Sequence, residues 1–311
     1  MISKHIVTIT VNPAIDKTTE IESLIPDKKL RCSEPKVDPG GGGINVSRAI
    51  KKLGGDSSAI YLAGGATGQV LTELLEKEGV RQTIVPTKAA TRENIMVDDK
   101  ATHNQYRFNL PGKPVSEAEY KQVLTELDVL IPKPDYIVAS GSLAPGIPVD
   151  FYGLIANKAK EIGAKFILDT SGDALKAAAG QGVYLLKPNY NELCELTGHD
   201  KEEVVDVKEL AKEIIKKGFC EIAVVSLGAK GALLIDKDNI YHEHAPKVPN
   251  RSTVGAGDSL VAGITYSLAL GKTLPEALKY GVACGTAATM NTGTELCNLN
   301  DVNKLLEIMK K

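Results

Sequence analysis

The sequence has little that would staple it, thread it through a membrane or bind it to nucleic acid. Its 311 residues include only five cysteines, at 32, 194, 220, 284 and 297. The count is odd and no two cysteines form a Cys-x-x-Cys pair. That excludes a disulfide framework or a zinc ribbon and points to a reducing compartment. No stretch approaches the roughly 18 uncharged apolar residues of a membrane span. The opening Met1-Ile-Ser-Lys-His5 lacks a basic segment followed by a long apolar core, so no export leader is expected. Together these absences predict a soluble, cytoplasmic protein with no membrane partner. No basic excess exists either: 37 Lys and Arg stand against 39 Asp and Glu, a net charge of −2. A general nucleic-acid binder is thereby disfavoured, although a local basic patch for a small phosphorylated ligand is not. Internal repeats and low-complexity tracts are absent.

What is present is ordinary globular material, 43% hydrophobic and 24% charged, in a chain long enough to bury a large core. The length suits either two units or one large α/β unit. Period-2 and period-3.6 patterns alternate along it. Strands are predicted at 5–11, 58–63, 136–139, 165–169, 184–186 and 222–226. Helices are predicted at 44–53, 68–78, 116–130, 149–162, 190–197 and 206–217, with a hairpin at 232–244 and helical stretches after Gly257. Short Val/Ile/Leu runs followed by helices imply buried parallel strands. The fold class read from this is α/β: a doubly wound, mostly parallel sheet in a single domain spanning 1–311. Two polar strand-like segments, about 17–36 and 92–110, interrupt the rhythm and should project as a small β lid.

Several segments could carry chemistry, and each has a plainer alternative. The glycine run Gly40–Gly43 precedes a helix and would let backbone approach a ligand, or it is a tight turn. It lacks the spacing of a dinucleotide fingerprint. Ser252-Thr-Val-Gly-Ala-Gly-Asp-Ser259 puts two glycines and an acid at the start of an apolar helix. Its free N–H groups would form an anion hole beside a carboxylate able to take a hydroxyl proton, or Asp258 is simply a helix cap. Lys187-Pro-Asn-Tyr-Asn-Glu192 follows a buried strand. There Asn189 and Glu192 could organise Mg²⁺ through water, or form an N-cap pair. Ser226-Leu-Gly-Ala-Lys-Gly231 would line a nucleotide, or turn a hairpin. Asp16 ends the first strand region as a sugar-binding acid or a turn residue. Lys28, Lys29 and Arg31 in the first lid segment, with Arg92 and Arg107 in the second, suit a phosphate clamp or a charged edge. His242 and His244 share one strand face without a third ligand and read as a surface pair. The cysteines carry no nucleophile pattern and read as inert thiols.

Taken in order, Asn12-Pro-Ala-Ile-Asp16, Pro39-Gly-Gly-Gly-Gly-Ile-Asn45, Lys187-Pro-Asn-x-x-Glu192, Ser226-Leu-Gly-x-x-Gly231 and Thr253-Val-Gly-Ala-Gly-Asp258 resemble the ribokinase-like (PfkB) carbohydrate kinase family over nearly the whole chain. Lys29-Leu-Arg-Cys32, Arg48-Ala-Ile50, Ala63-Gly-Gly-Ala-Thr-Gly68, Gln105-Tyr-Arg-Phe108 and Gly293-Thr-x-Leu-Cys297 extend the likeness to its sugar-phosphate branch. Relatives acting on fructose 1-phosphate or tagatose 6-phosphate usually carry Lys where this chain has Gly42. The resemblance therefore implies ATP-dependent phosphorylation of fructose 6-phosphate at its C1 hydroxyl, with those two activities as alternatives and a non-catalytic sugar-phosphate sensor as a different class.

The resemblance also implies roles. Asp258 would be the base, and Gly255, Ala256 and Gly257 the anion hole. Asp16, Gly41, Gly42 and Asn45 would orient the sugar, and Lys29, Arg31, Arg92 and Arg107 would meet its phosphate. Lys187, Asn189 and Glu192 would serve the ATP phosphates and Mg²⁺, while Ser226, Gly228 and Gly231 would line the nucleotide. Ser252, Val254, Asn291 and Gly293 would hold a monovalent cation such as K⁺, with Glu295 standing where a basic residue is expected. The lid would join two copies in a homodimer.

Overall fold

A computed structural model of the chain describes residues 4–202 and 205–310. Met1, Ile2 and Ser3 of the opening segment lie outside the described residues. The short apolar runs become nine strands: β1 (Ile6–Thr10), β4 (Ser58–Ala63), β5 (Arg81–Pro86), β8 (Tyr136–Ser140), β9 (Lys165–Asp169), β10 (Leu185–Leu186), β11 (Ile222–Ser226), β12 (Ala232–Ile235) and β13 (Ile240–Glu243). They lie in the order β13-β12-β11-β10-β9-β8-β1-β4-β5. Pairing is parallel from β5 through to β11. It turns antiparallel only at β12 and β13, because β11 is followed by a tight turn rather than a crossover helix.

Buried-on-both-faces strands need cover on both sides. Helices α1 (Gly42–Lys52), α2 (Gly65–Lys77), α8 (Ala256–Ala269), α9 (Leu274–Thr289) and α10 (Leu299–Ile308) supply it on one face. Helices α3 (Glu117–Val129), α4 (Phe151–Glu161), α5 (Gly172–Ala178), α6 (Tyr190–Thr197) and α7 (Val207–Lys216) supply it on the other. Strand alternation divides the core accordingly. Val7, Ile9, Ile137 and Ala139 point toward α3–α7, and Ile6 and Val138 toward α1, α8 and α9. Helix ends follow local chemistry: Ser116 with Glu119, and Thr273 with Glu276, form capping boxes that satisfy the first amides of α3 and α9.

A second sheet of four strands, ordered β3-β2-β6-β7, stands apart: β2 (Ala14–Ile21), β3 (Lys36–Gly40), β6 (Arg92–Asp99) and β7 (Asn104–Asn109). The predicted hairpin around 98–103 is there, with β6 and β7 antiparallel. The first lid segment needs correction. Its strands run 14–21 and 36–40, and residues 24–35 between them form no strand. Asp16 and the first glycine of the run therefore belong to the small sheet itself. Two elements escaped the sequence patterns. β5 is an edge strand with a single buried residue, Val85, so its apolar signal is weak. α5 is only 7 residues long. Among the described residues no helix is long and apolar enough to cross a membrane.

Chain order reverses at β1, which pairs with β4 on one side and β8 on the other. In a doubly wound sheet this switch point, beyond the C-terminal strand ends, is where a crevice opens.

Candidate active site

Four strands deliver polar residues to that crevice. Thr10 ends β1, Ser140 ends β8 and Asp169 ends β9, while Lys187 follows β10. The small sheet covers it from one side, and the first turn of α8 enters from another.

Gly255 caps α8 with a left-handed backbone (φ 73°), a conformation open to glycine at little cost, and no side chain caps the helix. The amides of Gly255, Ala256 and Gly257 find no acceptor among the described residues, which leaves them open at the start of α8. Asp258 is thus not the cap. It sits in the first turn, its carboxylate held on both oxygens. Asn45 Nδ2 donates to Oδ2 at 3.0 Å and Ser140 Oγ to Oδ1 at 3.3 Å. Loss of water around this carboxyl, reinforced by the charge of Asp169, pushes its pKa up to about 6, against the opposing pull of Asn45, Lys187 and Ser140.

Lys187 pairs with Asp169 at 3.1 Å and is itself buried. Burial opposes its charge, but Asp169, Glu192 and Asp258 outweigh that and keep it firmly protonated. Its ammonium lies against Gly257, where a Cβ would come within 3.9 Å of Nζ. Asn189 and Glu192 form the capping box of α6: Asn189 Oδ1 accepts from the Glu192 amide at 3.0 Å, and Glu192 Oε2 from the Asn189 amide at 2.8 Å. The cap and the second carboxylate oxygen coexist, so the two readings of this pair are not exclusive. Burial raises the Glu192 pKa.

The glycine run explains itself sterically. Gly41 alone has positive φ (115°). At Gly42 the reason is space: a Cβ would lie 2.1 Å from Ser140 Oγ and 2.7 Å from the Ser140 carbonyl carbon. The run is therefore more than a turn, and α1 starts at Gly42, two residues before the apolar pattern begins.

Asp16 is buried, and its pKa is raised by that burial despite a 2.8 Å hydrogen bond from Asn94 Nδ2 and the nearby Arg92 and Arg48. Arg92 bonds to Asn94 Oδ1 at 2.7 Å, and to the carbonyls of Leu110 and Asn12. Arg107 crosses from the small sheet to Thr253, just before α8, its Nη2 donating to Oγ1 at 3.3 Å. Lys29 and Arg31 are exposed on the strandless 24–35 segment and make no ion pair among the described residues.

On the far side of Gly257 a cavity of about 470 Å³ opens, lined by Ser226, Gly228, Gly231, Leu260, Val282 and Gly285 among others. The turn over Gly228–Lys230 does link the antiparallel β11 and β12, and it also walls this cavity. Nearby, Ser252 Oγ donates to the Gly293 carbonyl at 2.9 Å and accepts from the Val254 amide at 3.2 Å. Asn291 Nδ2 donates to the Leu296 carbonyl. Glu295 is exposed. His242 on edge strand β13 and His244 just beyond its end stack with ring centroids 4.0 Å apart, and among the described residues no third metal-ligating group joins them. Cys194, Cys220, Cys284 and Cys297 are buried and unbridged.

Sequence reasoning missed Asp169, Ser140, Asn94 and Thr253. For the first two a signal existed, since a polar residue closing a buried parallel strand lands on the crevice.

The profile of the pfkB family carbohydrate kinases matches residues 5–301. The chain belongs to this family. As a pfkB kinase it is 42% identical, over 308 residues covering 99% of each chain, to the ATP-dependent 6-phosphofructokinase isozyme 2 of Escherichia coli K12. Two crystal structures of phosphofructokinase-2 from Escherichia coli superpose on it. The potassium complex gives a TM-score of 0.94 at 40% identity, covering 99% of this chain and 100% of the other. The fructose-6-phosphate complex gives 0.93 at 39% identity with the same coverage. The small β sheet beside a large, mostly parallel sheet is thus the ribokinase-like arrangement that the sequence predicted.

Proposed function

We propose that this pfkB kinase is an ATP-dependent 6-phosphofructokinase, transferring the γ-phosphoryl group of ATP to the C1 hydroxyl of fructose 6-phosphate to give fructose 1,6-bisphosphate. The observation that carries the reading is the position of Asp258. Its carboxylate adjoins the open amides of Gly255–Gly257, with the sugar-side residues Asn45 and Asp16 on one hand and Lys187 on the other.

The chemistry follows from that placement. Asp258 takes the C1 proton as the C1 oxygen bonds to the γ-phosphorus and the bridging oxygen leaves with ADP. The amides at the start of α8 and the Lys187 ammonium face the charge that develops on the transferring group. Gly41, Gly42 and Asn45 hold the sugar at backbone distance, and Asp16 meets its hydroxyls. Arg92 and Arg107 meet the 6-phosphate. Lys29 and Arg31 would meet a phosphate across a homodimer formed through the small sheet, where Ile95, Phe108 and, just past β7, Leu110 are exposed. The cavity lined by Ser226, Gly228 and Gly231 suits a flat base, and its open end leads past Gly257 to Lys187.

Among the described residues no three carboxylate, imidazole or thiolate groups converge. That fits Mg²⁺ held mainly by nucleotide phosphates and water, with Glu192 and Asn189 behind the water shell. Ser252, Val254, Asn291 and Gly293 offer oxygens alone, a donor set that suits K⁺. These ions supply neutralising charge when bound. Free thiols and a reducing cytoplasm agree.

The test is ATP consumption by the purified protein with Mg²⁺ and K⁺, comparing fructose 6-phosphate, fructose 1-phosphate and tagatose 6-phosphate at low concentration. The highest kcat/KM is expected with fructose 6-phosphate. Preference for another sugar would move the enzyme to a different reaction, and ATP binding without turnover would make it a sensor.

A further inference from the structure

A buried cation lies behind the base without touching it. Arg48, on α1, is 3% exposed. Its Nε and Nη2 donate to the two carboxylate oxygens of Glu78, at 2.8 and 2.6 Å, in the bidentate geometry that fixes a guanidinium plane. Glu78 ends α2 and is about one-third exposed, at 30%. With that plane fixed, Nη1 points at the glycine run. It donates to the Pro39 carbonyl at 2.8 Å, just before the run, and to Asn45 Oδ1 at 3.3 Å, just after it. Arg48 thereby ties both ends of the loop that faces the sugar. Asp38 lies 3.8 Å from Nη2, and its other oxygen accepts from Thr294 at 2.9 Å. Asp16 completes the charges around the guanidinium.

The consequence lies in Asn45. A side-chain amide has one accepting end and one donating end. Arg48 can only donate, so it claims Oδ1 and turns Nδ2 toward Asp258. Residues 45 and 48 are three apart on one helix, which puts both on the same face. We propose that Arg48, locked by Glu78, is a positioning residue for the phosphoryl-transfer step: it fixes the orientation of the Asn45 amide, and through it the aim of the Asp258 carboxylate. The inference rests on the reading of Asp258 as the base. Lysine is no substitute, because a point charge cannot hold Glu78 bidentately while reaching Pro39 and Asn45.

A double-mutant cycle tests it. kcat, and KM for each substrate, are measured for Arg48→Lys, Glu78→Gln, Asn45→Ala, Asp258→Asn and the two combinations with Asn45→Ala. Arg48→Lys should lower kcat about 10- to 100-fold, the scale of a lost alignment, while KM for ATP changes less than about twofold. Glu78→Gln should lower kcat about 3- to 10-fold, and it serves as the decisive variant if Arg48→Lys does not fold. In the Asn45→Ala background each change should alter kcat less than about twofold, because the route is already cut. Equal losses in both backgrounds, or KM for ATP rising in step with the loss of kcat, would reduce Arg48 to a packing role and overturn the proposal. Asp258→Asn separates the two ideas. If it retains kcat, the base assignment fails and this inference with it. If it abolishes kcat while the cycle is additive, only this inference fails.

Discussion

Asn45 Nδ2 donates to Asp258 Oδ2 at 3.0 Å, joining the glycine loop to the start of α8 across 213 residues of sequence. The same contact helps to lower the pKa of a carboxyl that burial pushes up to about 6. A base must be ionised to act, so kcat/KM should fall as pH drops below about 6. Removing the amide in Asn45→Ala removes a stabiliser of the charged form and should move that acid limb upward. Because the substrate ionises identically for both enzymes, the difference between the two pH–rate profiles reports on Asp258. An unmoved limb would show that the contact does not govern the base.

Asp258→Asn should lower kcat by about 10²- to 10⁴-fold, the usual worth of a general base. ATP binding by the same variant, followed by equilibrium titration, should be nearly unchanged, since the cavity proposed for the nucleotide lies on the far side of Gly257. A variant that keeps most of its turnover would remove Asp258 from the proposed step.

The same substitution should stabilise the fold. The folded protein keeps Asp258 protonated up to pH about 6, whereas the unfolded chain releases that proton near 3.8. Folding therefore takes up a proton between those values, and stability declines as pH rises through the window. The deficit persists at neutral pH at about 3 kcal/mol in order of magnitude. Asparagine carries no such penalty. Asp258→Asn should unfold at higher temperature than the parent at pH 7.5, with the gain shrinking toward pH 4. A calorimetric comparison at the two pH values checks both the sign and the trend.

Gly42→Ala should damage both fold and site. The added methyl would meet Ser140 Oγ at 2.1 Å and the Ser140 backbone at 2.7 Å, and backbone cannot swing aside as a flexible side chain would. Overpacking of this kind costs about 1–3 kcal/mol. Because Ser140 also donates to Asp258, kcat should fall together with the unfolding midpoint in denaturant. A variant of normal stability and activity would mean that strand β8 yields more easily than its pairing on both sides suggests.

Arg107→Ala should be silent in stability, because the residue is exposed and, among the described residues, its side chain bonds only to Gln105 and Thr253. Its loss should raise KM for fructose 6-phosphate about 10- to 100-fold, the worth of a charge-assisted hydrogen bond, and leave KM for ATP alone. The effect should weaken as salt is added, since the contact lies near solvent. Equal effects on both substrates would detach Arg107 from the sugar phosphate.

The sequence by itself determined the layered α/β frame. Short apolar runs such as Ile137–Ala139 and Phe166–Leu168, each followed by a helical pattern, imply central parallel strands, and the alternation of strand and helix periods leaves few topologies. It also determined the local devices, because a cap or a glycine turn needs only near neighbours: Asn189 with Glu192, and Gly255 before α8, are legible as spacing. The tertiary structure alone decided what meets what. Asn45 and Asp258, Lys187 and Asp169, Arg107 and Thr253 are far apart in sequence, and no periodicity encodes their contact. It also showed that the cap at Glu192 uses Oε2 alone among the described residues, which spacing cannot tell. It left Lys29 and Arg31 exposed and without an ion pair among the described residues, and a charge in a strandless segment carries no signal of where that segment lies. Arg48 makes the point most plainly: in sequence it is one cation on an amphipathic helix, and its partners Glu78, Pro39 and Asn45 come together only when the sheet has folded.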